Sequence, residues 1–159
     1  MNVILEKREN IIKENNTAQT EIVGILENLF KQVPQLFINN ALHGDIDFSV
    51  IRASGFSSIQ SIHLSKGEIT SVRGIPEGIT YLHCKDNYLT EIENLPNSLK
   101  NLDLEFNYLE RIDLKKTPHL KKAVLSHNKL TEIENLPTDL EELYLNYNEI
   151  KELDLQHLI

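Results

Sequence analysis

The groups in this sequence best suited to chemistry are a lone thiol, a few imidazoles and carboxylates, and a scatter of tyrosines. Cys84 is followed by Lys85 and Asp86, which sets a thiol two residues from a carboxylate. A cysteine acts as a nucleophile only where it is accessible and its thiolate is stabilised. His63, His83 and Asp103 recur at intervals of 20 residues, and zinc accepts imidazole and carboxylate ligands. Glu91 and Glu93 recur as Glu132 and Glu134. There is no Gly-rich phosphate loop, no nucleophile elbow and no cluster of Cys and His at metal-ligand spacing. Whether any of these groups converge depends on the elements that carry them, and those elements are written into the chain by repetition.

The octapeptide LTEIENLP occurs at Leu89–Pro96 and again at Leu130–Pro137. Aligning the chain on it exposes a longer phrase, Leu99-x-x-Leu102-x-Leu104-x-x-Asn107-x-Leu109. The phrase returns as Ile79-x-x-Leu82-x-Cys84-x-x-Asn87-x-Leu89, as Leu120-x-x-Ala123-x-Leu125-x-x-Asn128-x-Leu130, and as Leu140-x-x-Leu143-x-Leu145-x-x-Asn148-x-Ile150. A weaker first copy runs Ile59-x-x-Ile62-x-Leu64-x-x-Gly67-x-Ile69. The units begin at 59, 79, 99, 120 and 140, so all but one are 20 residues long. Alternation of apolar residues, as at Leu102 and Leu104, is the period of a strand with one face buried. The Asn that follows can donate and accept at once in a turning loop. Stacked units would then line up Asn87, Asn107, Asn128 and Asn148 as a ladder, with Gly67 leaving its first rung empty.

This phrase resembles that of the leucine-rich repeat family. The short unit, L-x-x-I-x-x-L-P-x-x-L, looks like the repeats of secreted bacterial effector proteins. The resemblance implies an α/β repeat solenoid: a right-handed coil with a parallel concave β-sheet, an extended convex side and an N-terminal helical cap. It implies a function in binding another protein, with no catalytic residue, no metal and no cofactor. Some such effectors carry a ubiquitin-ligase domain with a C-x-D nucleophile, but Cys84 aligns with Leu64, Leu104, Leu125 and Leu145, all inward positions. The expectation for Cys84 is a small buried core residue. A unit this short leaves little chain for a returning helix, so the back is expected to be extended or polyproline-like, with Pro76, Pro96, Pro118 and Pro137 fixing φ.

Residues between the strand leucines face outward. Neighbouring units set equivalent positions about 4.8 Å apart. The residues expected to bind a partner are Tyr81, His83, Asp103, Glu105, Phe106, His127, Tyr144 and Tyr147, because exposed aromatics of this kind anchor protein interfaces. Ser61, Ser65 and Ser126 belong to the same outward set, and Tyr88 and Tyr108 lie just past the strands. Charge on this face is mixed, so charge alone does not select the partner. The acidic strip of Glu91, Glu93, Glu132 and Glu134 reads as a solvated rim, with a docking strip for a basic partner as the alternative. Alternation between two kinds of return, LTEIENLP and Ile112-Asp-Leu114, points to duplication of a pair of units.

Residues 1–58 read as a helical N-terminal cap and entry strand ahead of five repeats in 59–159. Asn16-x-x-Gln19 resembles a capping box, and Ile22, Ile25, Leu26, Leu29, Phe30 and Val33 follow helical spacing to Pro34. A weaker helix is expected from Val3 to Glu14. Ile46-x-Phe48 is a candidate entry strand, with Gly55 in a turn. Leu155, Leu158 and Ile159 follow the fifth unit without a polar cap, so self-association through that edge, as an assembly component, is the competing function. A recognition arm of a ubiquitin-ligase-type effector is another. The net charge of −8 disfavours nucleic acid and anionic membranes. No apolar run reaches the length of a membrane span. A single cysteine fits a reducing compartment, and the expected location is intracellular and cytoplasmic, with delivery into a host cell as one route.

Overall fold

The computed structural model of the protein describes residues 2–5, 22, 34–38, 42–49 and 58–153. Twelve strands are described. They are β1 Asn2–Leu5, β2 Gln35–Ile38, β3 His43–Asp47, β4 Ser61–Leu64, β5 Glu68–Arg73 and β6 Tyr81–His83. Then come β7 Glu91–Ile92, β8 Asn101–Asp103, β9 Arg111–Asp113, β10 Lys122–Val124, β11 Glu132–Glu134 and β12 Glu142–Tyr144. Every second strand from β4 onward enters one parallel sheet, of order β1-β2-β4-β6-β8-β10-β12. The strands between them form the return side, as parallel sets β3-β5-β7 and β9-β11.

Register in the long sheet follows the repeat phrase. Leu36, Ile62, Leu82, Leu102, Ala123 and Leu143 pair in one row across six strands. All but Leu143 are buried. On the return side, Ile46, Val72 and Ile92 share a row, as do Ile112 and Ile133. The core is the space between these two rows, so each turn of the coil needs its neighbours to keep water out. No turn could bury its apolar face alone.

An apolar-Pro-x-x-apolar corner closes three of the described turns. The N–H of Ile79, Leu99 and Leu140 donates to the carbonyl of Pro76, Pro96 and Pro137, three residues earlier. Gly74, Asn94 and Asn135 occupy equivalent positions before these corners, and all three have left-handed backbone, with φ of 67°, 52° and 54°. Only Gly and, less readily, Asn tolerate that conformation without a penalty. The repeated Asn in LTEIENLP thus suits the backbone conformation its position takes. The 21-residue unit solves the corner differently: Thr117, fully buried, accepts the N–H of Leu120 and donates its hydroxyl to Leu114.

Of the extended or polyproline-like back expected, the structure has the extended form, paired as short β ladders. Two expectations change. The long sheet begins before residue 59, since β2 pairs with β4 in register, and Ile46 lies in β3 on the return side. Asn2–Leu5 is a strand paired with β2, which overturns the weak helix over Val3–Leu5. The run Val3-Ile4-Leu5 is continuously apolar, and β2 offers it a parallel partner. The rest of that segment, the capping box, most of the expected helical cap, Gly55 and the C-terminal Leu155, Leu158 and Ile159 lie outside the described residues. Of the cap, Ile22 is described and is fully buried.

Candidate functional site: the face of the long sheet

The asparagine ladder positions this face. Asn107 Nδ2 donates to the carbonyls of Cys84 and Leu104 at 2.9 and 3.0 Å, and its Oδ1 accepts the N–H of Leu89 at 3.0 Å. Asn87, Asn128 and Asn148 repeat the pattern one unit apart. Each amide thus ties its own turn to the preceding one. Gly67 has no side chain because Asn87 takes the space: a Cβ there would stand 2.8 Å from Asn87 Oδ1 and 3.0 Å from the Leu42 carbonyl. The residue before each rung, Lys66, Asp86, Phe106, His127 and Tyr147, is left-handed, with φ between 56° and 58°. Five non-glycine residues in that region carry a backbone cost of order 1 kcal/mol each. Satisfied amides offset it: Asp86, Phe106 and His127 donate to carbonyls of the following unit at 2.8–3.1 Å.

Outward side chains gather in two clusters and a smaller group. In the first, Phe37, His63, His83 and Asp103 lie in one register row. His63 stacks on Phe37 at 4.0 Å and on Tyr81 at 5.0 Å between ring centres. Its Nε2 lies 2.6 Å from Ser61 Oγ. Burial, reinforced by the neighbouring His83, pushes His63 down to about 4, so it is neutral near pH 7. His83 Nδ1 stands 2.9 Å from Asp103 Oδ2, close enough for an ion pair. Its N–H does not line up with that oxygen, and Nδ1 lacks a hydrogen-bond partner among the described residues. Burial alone would favour the neutral acid at Asp103. The His83 contact, the N–H of Glu105 and the charge of Lys85 outweigh it and hold the carboxyl below its usual range. Among the described residues no group of three or more His, Cys, Asp or Glu could hold a metal ion.

The second cluster is a stack of three rings. His127 lies between Phe106 and Tyr147, with ring centres 4.1 and 4.3 Å apart. Lys85 pairs with Glu105 and sets its ammonium 5.2 Å from the Phe106 ring centre. At the last described strand, Lys122 bonds Glu142 at 2.5 Å and lies over Tyr144, whose hydroxyl donates to Glu142 at 2.9 Å. Of the eight expected binding residues, Tyr81, His83, Asp103 and Tyr144 lie in strands of the long sheet, and Glu105, Phe106, His127 and Tyr147 in the turns that follow its strands. Tyr81, His83 and Asp103 sit apart from Phe106, His127 and Tyr147.

Ser61 and Ser126, expected to face outward, are buried. The Ser61 hydroxyl is hydrogen-bonded to the ring of His63. Cys84 has no exposed surface, and burial followed by the nearby Asp103 charge pushes its thiol far up. Sequence reading gave Phe37, Tyr88 and Tyr108 no role. Phe37 was legible in the alternation Leu36-x-Ile38, and the two tyrosines in the repeated Asn-Tyr pair. Glu91, Glu93, Glu132 and Glu134 are exposed on or beside the return strands.

Parallel strands at 20–21-residue intervals, a buried asparagine ladder and a Pro-cornered return define a leucine-rich-repeat solenoid. Solved structures agree. The chain superposes on YopM from Yersinia enterocolitica WA-314 with a TM-score of 0.57 and 28% identity, over 60% of this chain and 21% of that one. It superposes on YopM, a leucine-rich effector protein from Yersinia pestis, with a TM-score of 0.54 and 18% identity, over 94% of this chain and 54% of that one. The chain thus spans at most about half the length of these neighbours. No family model and no curated protein matches the chain by sequence. No described helix is long and apolar enough to cross a membrane.

Proposed function

We propose that this chain is a protein-binding module that presents the face of its long sheet, the concave side of a leucine-rich-repeat coil, to a partner protein. The observation that carries the reading is the concentration of large exposed apolar rings there. Phe106, Tyr144 and Tyr147 are 41%, 43% and 76% exposed, while the neighbouring strand leucines are buried at Leu104 and partly buried at Leu143 and Leu145. Rings of this kind supply much contact area at little conformational cost. The ladder and the cross-strand ion pairs hold the backbone beneath them, so binding would order few groups. The neighbouring YopM structures are of an effector, and an effector-like role inside a host cell follows as part of the same proposal.

Affinity capture from cell lysate with the wild-type chain and with a Tyr144→Ala/Tyr147→Ala variant tests this. The variant should lose the captured protein while its thermal melt stays within a few degrees of wild type. Retention of the same protein by the variant counts against the sheet face.

A further inference from the structure

Beside the ring stack lies an open groove of about 530 Å³ that runs along the coil across four turns. Its walls are Phe106, His127 and Tyr147 on one side and Tyr88, Tyr108 and Lys129 on the other. Tyr88 and Tyr108 meet edge to face, 5.7 Å between ring centres, and both are nearly half exposed. The Lys129 ammonium lies 5.0 Å from the centre of the Tyr108 ring. The floor is the ladder itself, Asn87, Asn107 and Asn128. Asp86 closes the end nearest the first cluster. We propose that this groove docks a proline-rich segment of a partner protein, held as a polyproline II helix with a basic residue against Asp86. The proposal rests on the protein-binding reading above and gives that partner a chemistry.

Three features favour this occupant. First, the floor offers little hydrogen bonding, because the ladder amides already serve backbone groups on both sides. The walls offer donors in the hydroxyls of Tyr88, Tyr108 and Tyr147, none of which bonds another group among the described residues. Donors along the walls suit a backbone that has carbonyls to satisfy and few N–H groups, and proline has none. Second, the spacing matches. Two rungs of a sheet span about 9.5 Å, and one turn of polyproline II spans about 9.3 Å. A ring of the ligand can therefore meet every second turn of the coil. Third, the Asp86 carboxylate makes no ion pair among the described residues, while Glu105 beside it is taken by Lys85. An arginine or lysine at the ligand's end would complete it. A helix would need a groove with apolar sockets at its own period, and an added strand would need a free sheet edge, which this rim is not.

The probe is a fluorescein-labelled peptide of about six prolines, two polyproline turns, flanked by arginine, titrated against the full chain by anisotropy. Saturable binding is expected. Tyr88→Ala and Tyr108→Ala should each weaken it about tenfold, while Glu132→Gln on the return side should leave it unchanged. Tyr108→Phe, which keeps the ring, should lose less than Tyr108→Ala and guards against a variant that fails to fold. A peptide with alanine in place of every proline should not bind. Absence of binding by the proline peptide, equal binding by the alanine peptide, or indifference to both tyrosine variants each overturns the proposal. So does light scattering showing that Tyr88→Ala breaks a dimer, since a second copy would then fill the groove. If the peptide fails while Tyr144→Ala/Tyr147→Ala still abolishes capture, the groove assignment falls and the sheet-face reading stands.

Discussion

Asn107 and Cys84 belong to different turns, yet the side-chain amide of one donates to the backbone carbonyl of the other at 2.9 Å. The same side chain holds Leu104 in its own turn and Leu89 in the turn before. The turns are thus joined by side chains as well as by stacking, and the thiol of Cys84 is enclosed by the contacts that make the ladder.

Replacing Asn107 with Ala leaves the Leu89 N–H buried without a partner and takes one of two donors from each of the Cys84 and Leu104 carbonyls, which keep Asn87 and Asn128. An orphaned buried group costs about 1–3 kcal/mol. Urea unfolding should therefore show a loss of about 2–3 kcal/mol for Asn107→Ala. Asn148→Ala should cost about 1 kcal/mol, because that rung is only partly buried and water can replace its bonds. Asn107→Asp should be no better than Ala, since a carboxylate cannot donate. Equal losses at Asn107 and Asn148 would contradict the cross-turn role.

The left-handed corner makes a separate prediction. Asn94→Gly should leave the melting temperature unchanged or raise it slightly. Asn94→Ile should cost about 1–2 kcal/mol, because a β-branched residue resists positive φ. Gly74→Ala should cost more than either, since the new Cβ would lie 2.4 Å from Asp47 Oδ1 in addition to the backbone strain. A melt for Asn94→Ile at the wild-type temperature would remove the backbone explanation of the repeated octapeptide.

Acid should destabilise the protein in two stages. His63 is lowered from 6.5 to about 4 on folding. Between those values the unfolded chain binds a proton that the folded chain refuses, so stability falls as pH drops from about 6.5 to about 4 and this contribution levels off below. Asp103, Asp45, Asp47 and Asp113 are held below their usual range, so their contribution is present above the unfolded carboxylate value of 3.8 and is lost as pH falls beneath it. His63→Phe keeps a ring between Phe37 and Tyr81 but has no proton to gain. Its melting temperature should be flat between pH 6.5 and 4, where the wild type declines. The same slope in both proteins would show that His63 is not responsible.

Cys84 should be silent in the native state. Its thiol is enclosed and disfavours the thiolate, so a chromogenic disulfide reagent should give no reaction at neutral pH. One equivalent should react once urea unfolds the chain. Rapid native labelling would reopen a reactive role for Cys84-Lys85-Asp86.

The sequence by itself determined the coil. Leu102, Leu104 and Asn107 specify a strand, its buried face and its terminus, and repetition at 20 or 21 residues forces these to stack. Local rules suffice there because each turn contacts mainly its neighbours. It also placed Cys84 inside, by alignment with leucines. The tertiary structure decided what happens between turns. Val3, Ile4 and Leu5 form a short apolar run that either a helix or a strand accepts, and pairing with Gln35–Ile38 selects the strand. Ser61 is outward by period but buried, with its hydroxyl bonded to the His63 ring two residues away. His127 acquires its place between Phe106 and Tyr147 only when residues about 20 apart are brought to van der Waals contact. The groove beside that stack has no sequence signature of its own. It is bounded by side chains from four turns, and its shape follows from left-handed backbone at Asp86, Phe106, His127 and Tyr147, a conformation that the ladder's hydrogen bonds impose and that residue type alone would not choose.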